Sequence, residues 1–197
     1  MTGPPRLVMA TRNAHKAEEL THLLAPWIVD PLPDEVVLPP ETGETFVDNA
    51  LGKARAAARA TDRIALGDDS GIRAEALDGA PGVRSARFAG EHATDAENLA
   101  LLRERAPVGS AVAYVCALAV VLPDGTGHVV EGRCTGTIAA RPRGTNGFGY
   151  DPVFVPDALG DGRTMAELRP EEKAAISHRG AAAEALRPWL GNRLSAG

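Results

Sequence analysis

The feature that most restricts this chain is a pair of long β-prone runs, Ala111 to Leu122 and His128 to Ile138, joined by Pro123-Asp124-Gly125-Thr126-Gly127. A connection that short can only return the chain antiparallel to itself, because parallel neighbours need a crossover of about a dozen residues or more. The two runs therefore predict a long β-hairpin and exclude a wholly parallel sheet. The chain before the hairpin has a different rhythm. Leu7 to Ala10 is a short apolar run ending in Thr11-Arg12-Asn13, after which Ala17, Leu20, Leu23 and Leu24 recur at helical spacing between Lys16 and Ala25. Val36 to Leu38 predicts a second extended stretch. Phe46, Val47, Ala50, Leu51, Ala54 and Ala57 or Ala58 mark a long helix with Thr45 as its N-cap and Asp48 in the third position.

Further on, Ile64 to Leu66 reads as a strand that stops at Gly67-Asp68-Asp69-Ser70-Gly71, and Gly79 to Gly82 as a turn-rich loop. Thr94 to Arg105 reads as a helix with Thr94 and Glu97 in capping-box positions. Val153 to Val155 is a last short strand, and Ala181 to Leu190 a closing helix. Strands alternating with helices, plus the hairpin, predict an α/β fold with a mixed sheet. No repeat, low-complexity linker or boundary divides it, so residues 1–197 read as a single domain.

Composition narrows the partners. The net charge is −5, so the surface as a whole repels nucleic acid polymers, and a polyanion can bind only at a local cluster of cations and backbone N–H groups. No apolar run approaches the roughly 20 residues that span a bilayer, and no secretory pattern opens the chain, so a cytoplasmic protein is expected. Cys116 and Cys134 lie in the two hairpin strands without metal-ligand spacing, which reads as two buried free thiols.

Three polar clusters carry chemistry. Thr11, Asn13 and Lys16 stand where a strand opens into a helix, an arrangement that suits phosphate oxygens; Thr and Asn also serve there as plain helix caps. Glu41 with Asp68 and Asp69 supplies carboxylates that suit a hard divalent cation, although Asp68 capping a turn beside a solvated Asp69 would look the same. Gly144 to Pro152, GTNGFGYDP, offers close backbone approach and an aromatic face around Phe148 and Tyr150. Lys173, His178 and Arg179 follow it with positive charge and directional donors. A surface loop followed by a charged helix start is the plainer reading of that third group. Together the three clusters are the inventory needed to hold a metal–nucleotide complex.

These stretches resemble the inosine-triphosphate pyrophosphatase family, the Ham1-type dITP/XTP pyrophosphatases. The matching segments are ATRNAHKAEEL, ETGETFVDNALGKARAAA, GDDSGIRAEALDGAPGVRSARFAG, GTNGFGYDPVF and EEKAAISHRG, in the family's order from Ala10 to Gly180. The resemblance implies two lobes around a central cleft, a homodimer, and Mg²⁺-dependent hydrolysis of ITP, dITP and XTP to the monophosphate and pyrophosphate. It implies that Thr11, Arg12, Asn13, Ala14, His15 and Lys16 bind the triphosphate with Lys53. It assigns Mg²⁺ to Glu41 and Asp69, with Asp68 beside them, and makes Asp69 the proton acceptor for the attacking water. Ser70 would contact substrate. Phe148, Gly149, Tyr150 and Asp151 would line the base and sugar site, completed by Lys173, His178 and Arg179. Two other readings are a pyrimidine-directed pyrophosphatase of the Maf type, which would lack the FGYDP and SHR pair, and a non-catalytic nucleotide sensor, which would lack the acidic residues.

Overall fold

The computed structural model describes residues 5–194. In chain order the regular elements are β1 (Arg6–Met9), α1 (Ala14–Leu23), β2 (Ile28–Asp30), α2 (Phe46–Thr61), β3 (Ala65–Ala74), α3 (Asp95–Arg105), β4 (Ala111–Val121), β5 (Gly127–Ile138), β6 (Phe154–Pro156), α4 (Pro170–Ile176) and α5 (His178–Leu194), with short 3₁₀ turns between several of them. The strand order is β2-β1-β3-β4-β5-β6. β1 pairs in parallel with β2, Leu7 opposite Val29, and with β3, Met9 opposite Leu66, whereas β5 pairs antiparallel with β6, Thr137 opposite Val155. The expected mixed α/β sheet is present, and the predicted hairpin is β4 and β5.

Local signals set the helix starts. Thr45 accepts the Asp48 N–H at the head of α2, and Thr94 and Glu97 form a reciprocal capping box on α3. Two expectations need correcting. Val36 to Leu38 is not a strand: Val37 is 86% exposed, and the strand at this level is Ile28–Asp30, whose three residues are extended because β1 pairs with them. Nor does the strand from Ile64 stop at Gly67. β3 runs on to Ala74 through residues that individually favour turns, because they are buried and their charges are paired.

The chain forms two compact units, exchanging between them within β3, β4 and β5 and at the start of α5. The first holds the residues up to Asp69, Cys116–Gly132 and those from Arg179 onward. Its core gathers Leu7, Met9, Leu20, Leu24, Leu66, Cys116, Leu118, Val120, Leu186 and Leu190. α2 belongs to this unit and buries a strip of small residues, Ala50, Ala54, Ala57 and Ala58. Small side chains let it approach the sheet so closely that a Cβ on Gly67 would lie 2.2 Å from the Ala50 carbonyl oxygen. The second unit holds Ser70–Val115 and Arg133–His178 around a core that includes Ile72, Leu102, Tyr114, Phe154, Met165 and Leu168. Among the described residues no helix is long and apolar enough to cross a membrane. Both cysteines are buried free thiols.

Candidate active site

In the first unit the polar residues converge at β3. Successive strand residues face opposite sides, so the neighbours Asp68 and Asp69 separate. Asp68 faces the same way as Leu66, toward α1 and α5. Its Oδ1 lies 2.6 Å from Lys16 Nζ and its Oδ2 is 3.5 Å from Arg179 Nε, with the Cys116 thiol donating at 3.3 Å. Burial pushes the Asp68 carboxyl up, but Lys16, Arg179 and Lys53 outweigh it and hold it below the ordinary carboxylate range. Arg179 is itself buried, and its Nη1 donates to Glu19 Oε2 at 2.6 Å.

Asp69 faces the other way, toward α2. Its Oδ2 accepts the Asn49 side-chain N–H at 2.9 Å, and its Oδ1 lies 3.9 Å from Lys53 Nζ. The same ammonium donates to Glu41 Oε1 at 2.5 Å. Asn49 reaches further: its Oδ1 accepts the Gly43 N–H at 2.8 Å, so one amide joins the Glu41 loop to Asp69. Burial raises the Asp69 carboxyl above its ordinary range; Lys53 and Lys16 offset only part of that, and Glu41 adds to the rise. Among the described residues no three of His, Cys, Asp and Glu gather as a metal site. Glu41 and Asp69 nonetheless converge on one cation, and Asp69 retains an electrostatic cost that a divalent ion would remove. Hard carboxylate oxygens of this kind fit Mg²⁺.

At the head of α1, Asn13 acts as N-cap, accepting the Lys16 N–H at 3.2 Å, and Thr11 Oγ1 accepts the Asn13 N–H at 3.1 Å. Ala14 and His15 are exposed in the first turn. Arg12 is committed elsewhere: its guanidinium donates to the carbonyls of Leu32, Pro33, Asp34 and Val36, tying down the segment before Glu41.

The second unit carries its own cluster around Asp151, which is 3% exposed. Asp151 Oδ2 accepts the Phe148 N–H at 3.0 Å and Lys173 Nζ at 2.7 Å, and Oδ1 accepts the Tyr114 hydroxyl at 3.1 Å. Lys173 Nζ also lies 5.0 Å from the centre of the half-buried Phe148 ring. Gly147, at φ +73°, lets the loop close on this carboxylate, since a Cβ there would sit 2.1 Å from Asp151 Oδ2. Gly147 is thus spent on the protein's own carboxylate, whereas Gly149, beside Phe148, has open space around it. Tyr150 is buried and donates its hydroxyl to the Ser85 carbonyl at 2.7 Å, which holds the loop down and leaves Phe148 as its accessible ring. The His178 imidazole is buried and stacks on Tyr114 at 4.7 Å between centroids. Ser70 opens this unit's part of β3 and is half-buried.

His178 and Arg179 are adjacent in sequence but belong to different units, and the arginine is held by Asp68 and Glu19. Asp68 pairs with Lys16 and Arg179, whereas Glu41 and Asp69 share Lys53. Three contributors escaped the sequence reading: Glu19, Asn49 and Tyr114. Asn49 sat inside an amphipathic helix pattern and Tyr114 inside a hairpin strand, where periodicity reports a face and not a partner. Asn49's one available signal was its polarity, shared with Lys53, on a face of α2 otherwise made of apolar residues.

The comparisons with known proteins agree with one another. The Ham1 family profile matches residues 7–189. The chain is 49% identical over 194 residues to the dITP/XTP pyrophosphatase of Streptomyces avermitilis, covering 93% of this chain and 96% of that one. It is 47% identical over 199 residues to the dITP/XTP pyrophosphatase of Corynebacterium diphtheriae, covering 94% and 96%. Among solved structures, a HAM1 protein from Coxiella burnetii superposes with a TM-score of 0.83 at 41% identity, covering 95% of this chain and 99% of that one. A nucleoside-triphosphatase / dITP/XTP pyrophosphatase from Mycobacterium abscessus superposes with a TM-score of 0.71 at 47% identity, covering 93% and 99%.

Proposed function

This chain belongs to the Ham1 family, and on that footing we propose that it hydrolyses the non-standard purine nucleoside triphosphates ITP, dITP and XTP to the monophosphate and pyrophosphate. The observation that carries the reading is the charge cluster of the first unit, where the half-buried Lys16 and Glu41 join the buried Lys53, Arg179, Asp68 and Asp69. A fold has little reason to bury so many charges for stability alone, since apolar residues do as well or better. Perturbed carboxylates beside cations are what acid–base and phosphoryl chemistry requires.

In this reading Glu41 and Asp69 hold Mg²⁺, which would neutralise phosphate charge and make a bound water more acidic. Asp69 accepts the proton of the attacking water, helped by the burial that raises its carboxyl. Asn49 orients Asp69 through Oδ2 and fixes the Glu41 loop through Gly43. Asp68 keeps Lys16 at the head of α1, where its remaining donors, with Thr11, the N-cap Asn13 and the first-turn residues Ala14 and His15, serve the triphosphate. Lys53, tethered by Glu41, adds a second cation. In the second unit Phe148 supplies a stacking face for the base, with Gly149, Tyr150, Asp151, Lys173 and His178 shaping it and Ser70 as a further contact. The family profile runs through both units, which supports treating the chain as one pyrophosphatase domain. A cytoplasmic homodimer completes the proposal, supported by the free thiols and the family resemblance.

The test is product analysis after incubation with ITP and Mg²⁺. Inosine monophosphate and pyrophosphate are expected; inosine diphosphate and orthophosphate would place the cut elsewhere. Removing the metal with EDTA should abolish turnover. Mg²⁺ should raise the melting temperature of the wild type but not of Glu41→Gln, a binding readout independent of catalysis.

A further inference from the structure

We propose that Tyr114 is a positioning residue for base recognition, holding the Asp151 carboxylate and the His178 imidazole in one arrangement. The inference rests on the assignment of the Phe148–Asp151 loop and His178 to the base.

Tyr114 lies on β4 and is 6% exposed. Its hydroxyl donates to Asp151 Oδ1 at 3.1 Å. Its ring stacks on His178 at 4.7 Å and on Phe154 at 4.4 Å, each with an interplanar angle of 18°. A phenylalanine would pack the same way, so packing alone does not account for the hydroxyl. A buried phenol needs a partner, and here the partner is a carboxylate, which makes the bond charge-assisted. That bond settles the rotation of the Asp151 carboxyl, leaving Oδ2 to the Phe148 N–H and Lys173. The aromatic loop and the ammonium over the Phe148 ring are thereby joined, through Asp151, to a hydroxyl carried by a strand in the middle of the sheet. His178, the first residue of α5, lies with its ring nearly parallel to the same tyrosine. A strand supports a site more precisely than a loop does, and a recognition group gains precision when a second residue locks its rotamer.

Tyr114→Phe keeps the stack and deletes the bond to Asp151. In the full-length protein it should raise KM for ITP about 10-fold, the effect of losing one hydrogen bond to a charged partner, with kcat nearly unchanged. Inhibition by inorganic tripolyphosphate, which has no base, should be unaltered. Tyr114→Leu should in addition move the His178 ring-proton resonances, because the ring current beside them is lost, whereas Tyr114→Phe should leave them in place. An unchanged KM in Tyr114→Phe overturns the proposal. So does a parallel loss of kcat, KM and tripolyphosphate affinity, which is the mark of general damage. Asp151→Asn and His178→Ala run alongside. If neither affects KM for ITP, the base assignment fails and the positioning role with it. If both raise KM and Tyr114→Phe does not, the positioning role alone fails.

Discussion

Asp68 and Asp69 share a chemistry and a peptide bond, yet β3 turns them toward different partners. Lys16 and Arg179 hold one below its ordinary range, whereas burial holds the other above it. That asymmetry motivates the assignment of Asp69 as proton acceptor and metal ligand. Asp69→Asn keeps the side-chain shape and can still meet Asn49, so the fold should survive while turnover falls by roughly 10²-fold or more. Steady-state assay with ITP, paired with circular dichroism, checks both halves; near-normal turnover would remove Asp69 from the chemistry. Arg179 makes a different case. The family resemblance places it with His178 at the base, where its donors would suit a 6-keto oxygen, and in the fold its guanidinium lies between Asp68 and Glu19. Arg179→Ala leaves a buried carboxylate short of a partner and should cost about 3–5 kcal/mol of stability, measurable by urea unfolding. The base-reading role is tested in the same variant by kcat/KM for ITP and ATP. A proportional loss for both substrates makes Arg179 an electrostatic anchor, and a selective loss for ITP makes it a reader.

At the scale of elements, the head of α1 and the contact of α2 with β3 each yield an expectation. Lys16 stands in the first turn of α1, one loop beyond β1, ion-paired with Asp68. Lys16→Ala should weaken ITP binding more than inosine monophosphate binding, since only the former carries the distal phosphates. Calorimetric titration of both ligands, under conditions that prevent turnover, compares the two losses, and equal losses would contradict a triphosphate role. α2 sits against Gly67 with no room for a methyl group. Gly67→Ala must push the helix away from the strand that carries Asp69, and should destabilise the protein by about 1–3 kcal/mol. An unchanged unfolding midpoint would mean that the helix shifts freely. Element by element, the capped helices and the hairpin were legible in the chain because their signals are local: Thr45, Thr94 with Glu97, and Pro123 to Gly127. β2 and the continuation of β3 were not. Ile28–Asp30 is extended through pairing with β1, and Asp68-Asp69-Ser70 stays in a strand because partners distant in sequence neutralise it.

For the whole molecule the buried charges set a dependence on pH. Asp68 has a folded pKa below its unfolded one, so its contribution is present above the ordinary carboxylate range and is lost as pH falls through the depressed folded value. Asp69 has the opposite sign. Its raised carboxyl takes up a proton more readily folded than unfolded, which relieves strain as the pH falls toward it. The first effect should dominate in acid. Unfolding free energy measured by urea titration from neutral pH down through the carboxylate range should fall, and the slope should flatten in Asp68→Asn; an identical slope in the variant would show that other carboxylates govern acid stability. What the sequence alone determined was the α/β class, the hairpin, the helix caps, the family and the list of polar residues available for chemistry. All of these follow from short-range periodicity, turn residues and motif spacing. The tertiary structure alone decided how those residues are shared out: Asp68 to Lys16 and Arg179, Asp69 to Asn49 and Lys53, Asp151 to Tyr114, Phe148 and Lys173. Those partnerships join positions up to 111 residues apart, and a charge or hydrogen bond between such positions exists only once the sheet has brought them together.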